Sequence, residues 1–198
     1  TGRREKQNMP LTPDRSAAHD RPAILGLMDE ARGLDLSDDE RAQAGFVQGA
    51  MDEALLARRQ SGPGVFVARD GSALAGFCIT STLEMVASGP PAEMIKALLQ
   101  AMPELPLDQL FLYGPVAVSR RHQGQGVLTR LLFRVSAELR SRFALGALFV
   151  EHANQKSLAV HRHYPMTESA AFMFKDRAYI VFTFSPGDVV DHCRHRGA

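Results

Sequence analysis

The sequence predicts one mixed α/β (α+β) domain, in which helices cover both faces of a six- to seven-stranded, mostly antiparallel sheet. Three observations lead to this fold class. N-terminal helical patterns precede two strands of a hairpin in residues 65–80. An apolar strand then runs through a glycine-containing turn into an amphipathic helix, residues 116–132. Finally, residues 147–150 form a short unbroken apolar run, which is typical of a parallel strand covered on both faces.

Helix caps predict the N-terminal elements. Asp20 is predicted to cap a helix that has Pro22 in its first turn and ends at Gly33. Ser37 and Glu40 form a capping-box pattern, so a second helical region is expected to open there.

The period of the apolar residues predicts the other elements, and Asp70 and Gly71 mark the hairpin turn. Apolar or alternating runs predict strands at residues 9–12, 65–68, 73–80, 110–118, 147–150, 170–174 and 178–184. Helical spacing predicts helices at residues 51–59, 92–102, 127–139 and 158–164.

Length and composition indicate a globular protein. A chain of 198 residues suits one domain with a full-sized core. We expect residues 1–8 to be a leader or a cloning remnant, 9–186 to form the domain, and 187–198 to be a solvated tail. In that tail, His192, Cys193 and His195 are not expected to bind a metal.

The same data restrict partners and location. A formal net charge of +1 gives no reason to expect nucleic acid or an anionic membrane as a partner. No apolar run reaches membrane-spanning length. Cys78 and Cys193 have no metal or redox spacing and fit a reducing compartment, so a cytoplasmic location is expected.

Gly114 and Pro115 interrupt the strand at residues 110–118. Proline has no N–H to donate to a ladder in the middle of a sheet. The pair therefore predicts a bulge or a sheet edge at this point.

The turn that holds Gly124 and Gly126 is predicted to bind an anion. A glycine turn that leads into a helix exposes backbone N–H groups at the positive end of the helix dipole. A Walker loop is excluded because Val127 and Leu128 follow where lysine would be needed. A dinucleotide fingerprint is excluded because Thr129 occupies the position of its third glycine.

The glycine turn instead resembles the acetyl-CoA loop of the GNAT superfamily of N-acetyltransferases. The sequence pattern of that loop is Gln/Arg-x-x-Gly-x-Gly/Ala. Arg121, with Gly124 and Gly126, satisfies this pattern literally. We prefer the register from Gln123 to Leu128, since strand and helix then both fall in phase. Leu128 stands where glycine or alanine is usual.

A second signature of this superfamily is also matched. Asn154, Ser157 and His161 have its spacing, with Pro165-Met166 in place of its Gly-Phe pair. Histidine at the position of His161 is similar to the phosphinothricin-type acetyltransferases. The resemblance covers roughly residues 9–186 and implies a splayed central parallel strand pair, with the acyl-pantetheine arm of acetyl-CoA in the gap.

The resemblance implies a set of site residues. His161 would protonate the leaving thiolate, with Tyr164 or His163 as fallback donors. Glu84, Glu151 and His152 are candidates for the base, and Tyr113 lines the acceptor pocket or belongs to the core. The cofactor-binding residues would be Val116, Ala117, Val118, Gln123, Gly124, Gln125, Gly126, Val127, Leu128, Asn154 and Ser157.

The implied function is transfer of an acetyl group from acetyl-CoA to a primary amine of a small molecule by direct attack. Two alternatives stay open: an acyl-CoA-binding sensor without turnover, and an acetyltransferase for a protein lysine or N-terminus. We expect a small-molecule amine as partner and allow for a homodimer. The acceptor is left open because it depends on variable loops.

Overall fold

The computed structural model describes residues 11–32, 37 and 51–196. Within them, seven strands and six α-helices follow one another along the chain. The strands are β1 (Pro13–Arg15), β2 (Val65–Asp70), β3 (Ala73–Ser81), β4 (Leu110–Val118), β5 (Leu145–Glu151), β6 (Thr167–Phe174) and β7 (Arg177–Phe184). The helices are α1 (Arg21–Arg32), α2 (Glu53–Gln60), α3 (Pro90–Ala101), α4 (Val127–Leu139), α5 (Gln155–His161) and α6 (Pro186–His195).

The strands form one seven-stranded sheet in the order β1-β2-β3-β4-β5-β7-β6. Neighbouring strands are antiparallel except β4 and β5, which are parallel. The predicted fold class is therefore confirmed, including the parallel pair at the centre of the sheet.

The central pair separates soon after it forms. β4 pairs with β5 only at Leu110, Phe111 and Leu112. On its other side, the register of β4 against β3 shifts between the pairs Thr80–Tyr113 and Cys78–Val116. The predicted bulge at Gly114-Pro115 is thus confirmed, and it bends the second half of β4 away from β5.

Helices cover both faces of the sheet. On one face, α4 inserts Leu131, Leu132 and Val135, all fully buried, against Phe111 and Phe182. Burying each such leucine contributes ~1.5–3 kcal/mol to folding. On the other face, α1 and α2 pack on β2 and β3, and α3 packs across β4, β5 and β7. Among the described residues, no helix has the length and apolar character to cross a membrane.

The C-terminal segment corrects the predicted solvated tail. Residues 186–195 form α6, and Ser185 Oγ accepts a hydrogen bond from the Asp188 N–H at 3.3 Å as its N-cap. Val189, Val190 and Cys193 are buried against the core. These three residues form one apolar stripe of a helix, so the segment packs rather than extending into solvent.

Two other predicted elements shift along the chain. The first strand was expected at residues 9–12, of which 9 and 10 lie outside the described residues, and β1 instead begins at Pro13. The helix expected at residues 158–164 is α5 and begins three residues earlier, because Asn154 Oδ1 accepts from the Ser157 N–H at 3.2 Å and caps it. The helical region predicted from Ser37 lies, beyond that residue, outside the described ones until residue 51.

Candidate functional site

Two cavities meet where β4 and β5 separate. The first, of about 370 Å³, lies against the turn before α4 and is called here the loop cavity. The second, of about 220 Å³, lies between α3 and the two separated strands and is called the strand cavity. Val116, Asn154, Ser157 and His161 line both. A ligand that passes through the gap would therefore contact both cavities at these four residues.

The turn before α4 gives the loop cavity exposed backbone N–H groups. Gly126 is the N-cap of α4 in the left-handed conformation, with φ 75° and ψ 12°, and it supplies no capping side chain. The first N–H groups of a helix have no partner inside the helix and carry its positive dipole end. A Cβ built on Gly124 or Gly126 would meet no atom of the described residues within 4 Å, so a ligand has room to approach this backbone.

Cationic side chains also lie along the loop cavity. Arg120 and Lys156 line it, and Lys156 Nζ donates to Gln123 Oε1 at 2.8 Å. Glu30 is the one carboxylate among the described residues that line this cavity, so the two cations outnumber it. Together with the helix dipole, this excess of positive charge favours an anionic group.

The structure brings most of the predicted cofactor-binding residues together at the loop cavity. Those that line it are Val116, Ala117, Val118, Gln123, Gly124, Gly126, Val127, Leu128, Asn154 and Ser157. The exception is Gln125, whose Nε2 donates to the Arg121 carbonyl at 2.9 Å. The side chain of Gln125 is therefore turned away from the cavity, whereas Leu128 lines it.

The second half of β4 offers backbone donors to the gap. The Ser119 N–H donates to the Ala75 carbonyl of β3 at 2.9 Å. Because successive N–H groups of a strand point to opposite sides, the N–H groups of Val116 and Val118 point away from β3. No β5 residue pairs with them, so they face the gap.

His122 is a residue that the sequence reasoning missed. Its side chain is buried, with Nδ1 2.6 Å from Ser119 Oγ and Nε2 3.2 Å from Asp70 Oδ2. These contacts join the turn before α4 to the β2–β3 hairpin and hold it beside the cavity. The only sequence signal was a histidine inside the glycine turn, since Asp70 is remote in the chain.

His161 lies at the junction of the two cavities and is buried. Its Nδ1 is 2.7 Å from the Ser157 carbonyl oxygen, which only accepts hydrogen bonds, so Nδ1 carries the proton. Its Nε2 is buried and has no hydrogen-bond partner among the described residues. Burial lowers the pKa of His161, an effect that the bond to Ser157 partly opposes. The ring is therefore neutral near pH 7, with a bare lone pair on Nε2.

The other predicted catalytic residues fall in different places. Tyr164 lines only the loop cavity, where its hydroxyl is 2.7 Å from Thr129 Oγ1, and burial raises its pKa. Glu151 lines the strand cavity and accepts from Arg177 Nη1 at 2.9 Å. Glu84 is exposed and lines neither cavity, so the structure does not bring it to His161.

Of the three remaining candidate residues, one lines a cavity and two do not. Tyr113 is buried and lines the strand cavity, so it belongs both to the core and to this cavity. His152 and His163 are exposed and line neither cavity. The fallback role predicted for His163 therefore has no geometric basis.

Comparison with known proteins identifies relatives of this arrangement. A model of the acetyltransferase (GNAT) family matches residues 32–164. The ribosomal-protein-S18-alanine N-acetyltransferase from Escherichia coli superposes with a TM-score of 0.59 at 18% identity, covering 88% of this chain and 92% of that chain. The yncA protein from Salmonella typhimurium, solved with acetyl-CoA, gives 0.58 at 16% identity and coverages of 88% and 93%. A candidate phosphinothricin N-acetyltransferase gives 0.60 at 12% identity and coverages of 88% and 98%. No curated protein matches the sequence at a significant level.

Proposed function

Since this chain belongs to the GNAT family of acetyltransferases, whose members use acetyl-CoA, we propose that it acetylates the primary amine of a small molecule. The observation that carries the proposal is the gap between β4 and β5, through which the loop cavity and the strand cavity meet at His161. A donor in one cavity and an acceptor in the other would meet beside this side chain.

The loop cavity fits acetyl-CoA. The turn from Gly124 to Leu128 presents N–H groups and open space for a pyrophosphate, and Arg120 and Lys156 add positive charge. The N–H groups of Val116 and Val118 would hydrogen-bond the pantetheine arm in the gap, or stabilise negative charge on the reacting carbonyl oxygen. When bound, acetyl-CoA supplies the acetyl group as a thioester.

His161 is assigned the proton transfer. Its Nε2 accepts the proton that the attacking amine loses, because Nδ1 already holds the ring proton against the Ser157 carbonyl. The same Nε2 then carries a proton that it can give to the departing sulfur. On this assignment, His161 acts as base before it acts as the acid that the sequence predicted.

The size of the strand cavity favours a small acceptor over a protein. Its volume of about 220 Å³ is enclosed by the start of α3, with Pro90, Pro91 and Met94, and by the two strands. Pockets for drug-sized ligands measure ~300–1,000 Å³. A compact amine therefore suits this cavity better than a peptide segment.

The first prediction is that acetyl-CoA and a panel of small amines give amine-dependent release of CoA. Free thiol and the acetylated product would be measured together, with propionyl-CoA and a lysine peptide as comparison donor and acceptor. Faster acetylation of the peptide than of every small amine would contradict the proposed acceptor class. Tight acetyl-CoA binding without turnover would instead indicate the sensor alternative.

The second prediction concerns pH. Because burial lowers the pKa of His161, this residue should limit kcat/KM only on the acidic side, below about pH 6.5. Falling pH protonates Nε2 and removes the base, so activity should decline as pH passes down through that lowered pKa. The profile would be measured for the native protein and for His161→Gln, whose amide does not titrate. If the variant kept the same acidic limb, another group would be responsible for it.

A further inference from the structure

Resting on the proposed function, we infer that the strand cavity takes amines with an apolar body and discriminates against amines that also carry a carboxylate or phosphate. The inference depends on how apolar surface and charge are distributed between the two cavities.

The body of the strand cavity is apolar. Pro90, Pro91 and Met94 close it from α3, and Leu112 and Phe149 line it from β4 and β5. Apolar surface of this kind is complementary to a hydrocarbon or a single aromatic ring, whereas the many polar groups of a sugar or a peptide would find few partners on it. The acceptor would therefore bury its carbon skeleton here and direct its amine toward His161.

The charged groups of the strand cavity are anionic. Glu151 is the one carboxylate among the described residues that line it, and no described lysine or arginine does. Arg177 donates to Glu151 at 2.9 Å from a half-exposed position outside the lining. An amine arrives largely as its ammonium ion, which the Glu151 carboxylate attracts. It loses one proton to solvent before the neutral amine attacks, and His161 takes the second. An acid group on the acceptor would be buried beside this carboxylate, and no described residue that lines the cavity would offer it a cation.

The loop cavity has an excess of positive charge. Arg120 and Lys156 line it beside the N-terminus of α4, against one carboxylate among its described lining residues, Glu30. Cations thus flank the cavity proposed for the anionic donor, and a carboxylate flanks the cavity proposed for the acceptor. This distribution of charge favours an anion in the loop cavity and a cation in the strand cavity.

Matched acceptors test this directly on the native protein. With acetyl-CoA saturating, kcat/KM would be compared for 2-phenylethylamine and L-phenylalanine, which differ only in the carboxylate, and for tryptamine and L-tryptophan. The amines lacking the carboxylate should be preferred by at least about tenfold (~1.4 kcal/mol). Equal rates, or a preference for the amino acids, would overturn the inference.

Two variants test the charge. Glu151→Gln removes the carboxylate with little change of shape and should raise KM for 2-phenylethylamine about tenfold (~1.4 kcal/mol), with much less effect on kcat and none on acetyl-CoA affinity. Arg177→Gln, the matched control, leaves the carboxylate its charge and takes away a neighbouring cation, so KM should fall or stay constant. A raised KM in both variants would indicate that the Glu151–Arg177 ion pair is only structural. It would overturn the proposal that Glu151 attracts the ammonium group of the acceptor.

A binding measurement keeps this inference separate from the proposed function. If no amine is acetylated, the proposed function fails, and calorimetry on CoA-loaded protein then decides the acceptor class. Binding of 2-phenylethylamine but not of L-phenylalanine would support the inference without turnover. Binding of neither, or of both alike, would overturn it.

Discussion

Replacing Gly126 with valine is expected to abolish acetyl-CoA binding. Gly126 has a φ of 75°, and a Cβ there would enter the open space of the loop cavity, where a ligand must approach the backbone. The β-branched side chain would both block that approach and force the turn out of its left-handed conformation. For the native protein, acetyl-CoA at a hundred times its dissociation constant should raise the free energy of unfolding by ~2.7 kcal/mol. The variant should show no such increase.

Backbone strain also lowers the stability of the unliganded variant by ~1–3 kcal/mol, so a matched control is needed. Gly71 provides it, because its φ is 60°, a Cβ there meets nothing within 4 Å, and it lies in the β2–β3 turn outside both cavities. Gly71→Val should lose similar stability yet keep the full increase with acetyl-CoA. An equal increase with ATP in the native protein, or a retained response in Gly126→Val, would contradict the assignment of the turn to acetyl-CoA.

The features that could be predicted from the sequence are those encoded locally. The turn with Gly124 and Gly126 and the helix after it follow from adjacent residues and from apolar spacing, and the structure places α4 where that spacing predicts it. The bulge in β4 was predictable because Gly114-Pro115 cannot continue a regular ladder, whereas the separation of β4 from β5 was implied by the family resemblance. In each case the physical cause lies within a few residues of its effect.

The features that were missed depend on contacts between distant segments. His122 is held by Asp70, and that pair exists only because the hairpin folds back onto the turn. The helix α6 has a short apolar stripe among charged residues, and its burial depends on packing against α4. Glu84 was a candidate by its place at the end of the meander, yet its side chain is exposed there.

The role of His161 needed both kinds of information. Its spacing from Asn154 and Ser157 was visible in the sequence, but its tautomer was not. The proton on Nδ1 follows from the helix geometry, which brings that nitrogen within 2.7 Å of the Ser157 carbonyl one turn earlier. The lowered pKa follows from burial at the gap between the central strands, which no local pattern reports.

Replacing His161 with alanine is expected to lower kcat by ~10²–10⁴, the usual contribution of a positioned acid–base group. The reason is that Nε2 is buried at the junction of both cavities and has no partner in the described part of the chain, so it is available to the reacting groups. Acetyl-CoA affinity should change little, because the turn before α4 and the gap-facing N–H groups of Val116 and Val118 are left intact. Steady-state kinetics and calorimetry on the same preparations would separate the two effects.

The matched control is His163→Ala, which removes an exposed histidine two residues away that lines neither cavity. It should keep the native rate. His161→Tyr should recover part of the lost activity, because the resemblance to the family implies a tyrosine donor at this position in most members. If His161→Ala kept full turnover, another group would transfer the proton. Tyr164 would be tested next, although its hydroxyl forms a hydrogen bond with Thr129 on the loop-cavity side. In that case the unpartnered Nε2 would have to be explained by packing alone, against the cost of ~1–3 kcal/mol that an unsatisfied buried polar atom carries.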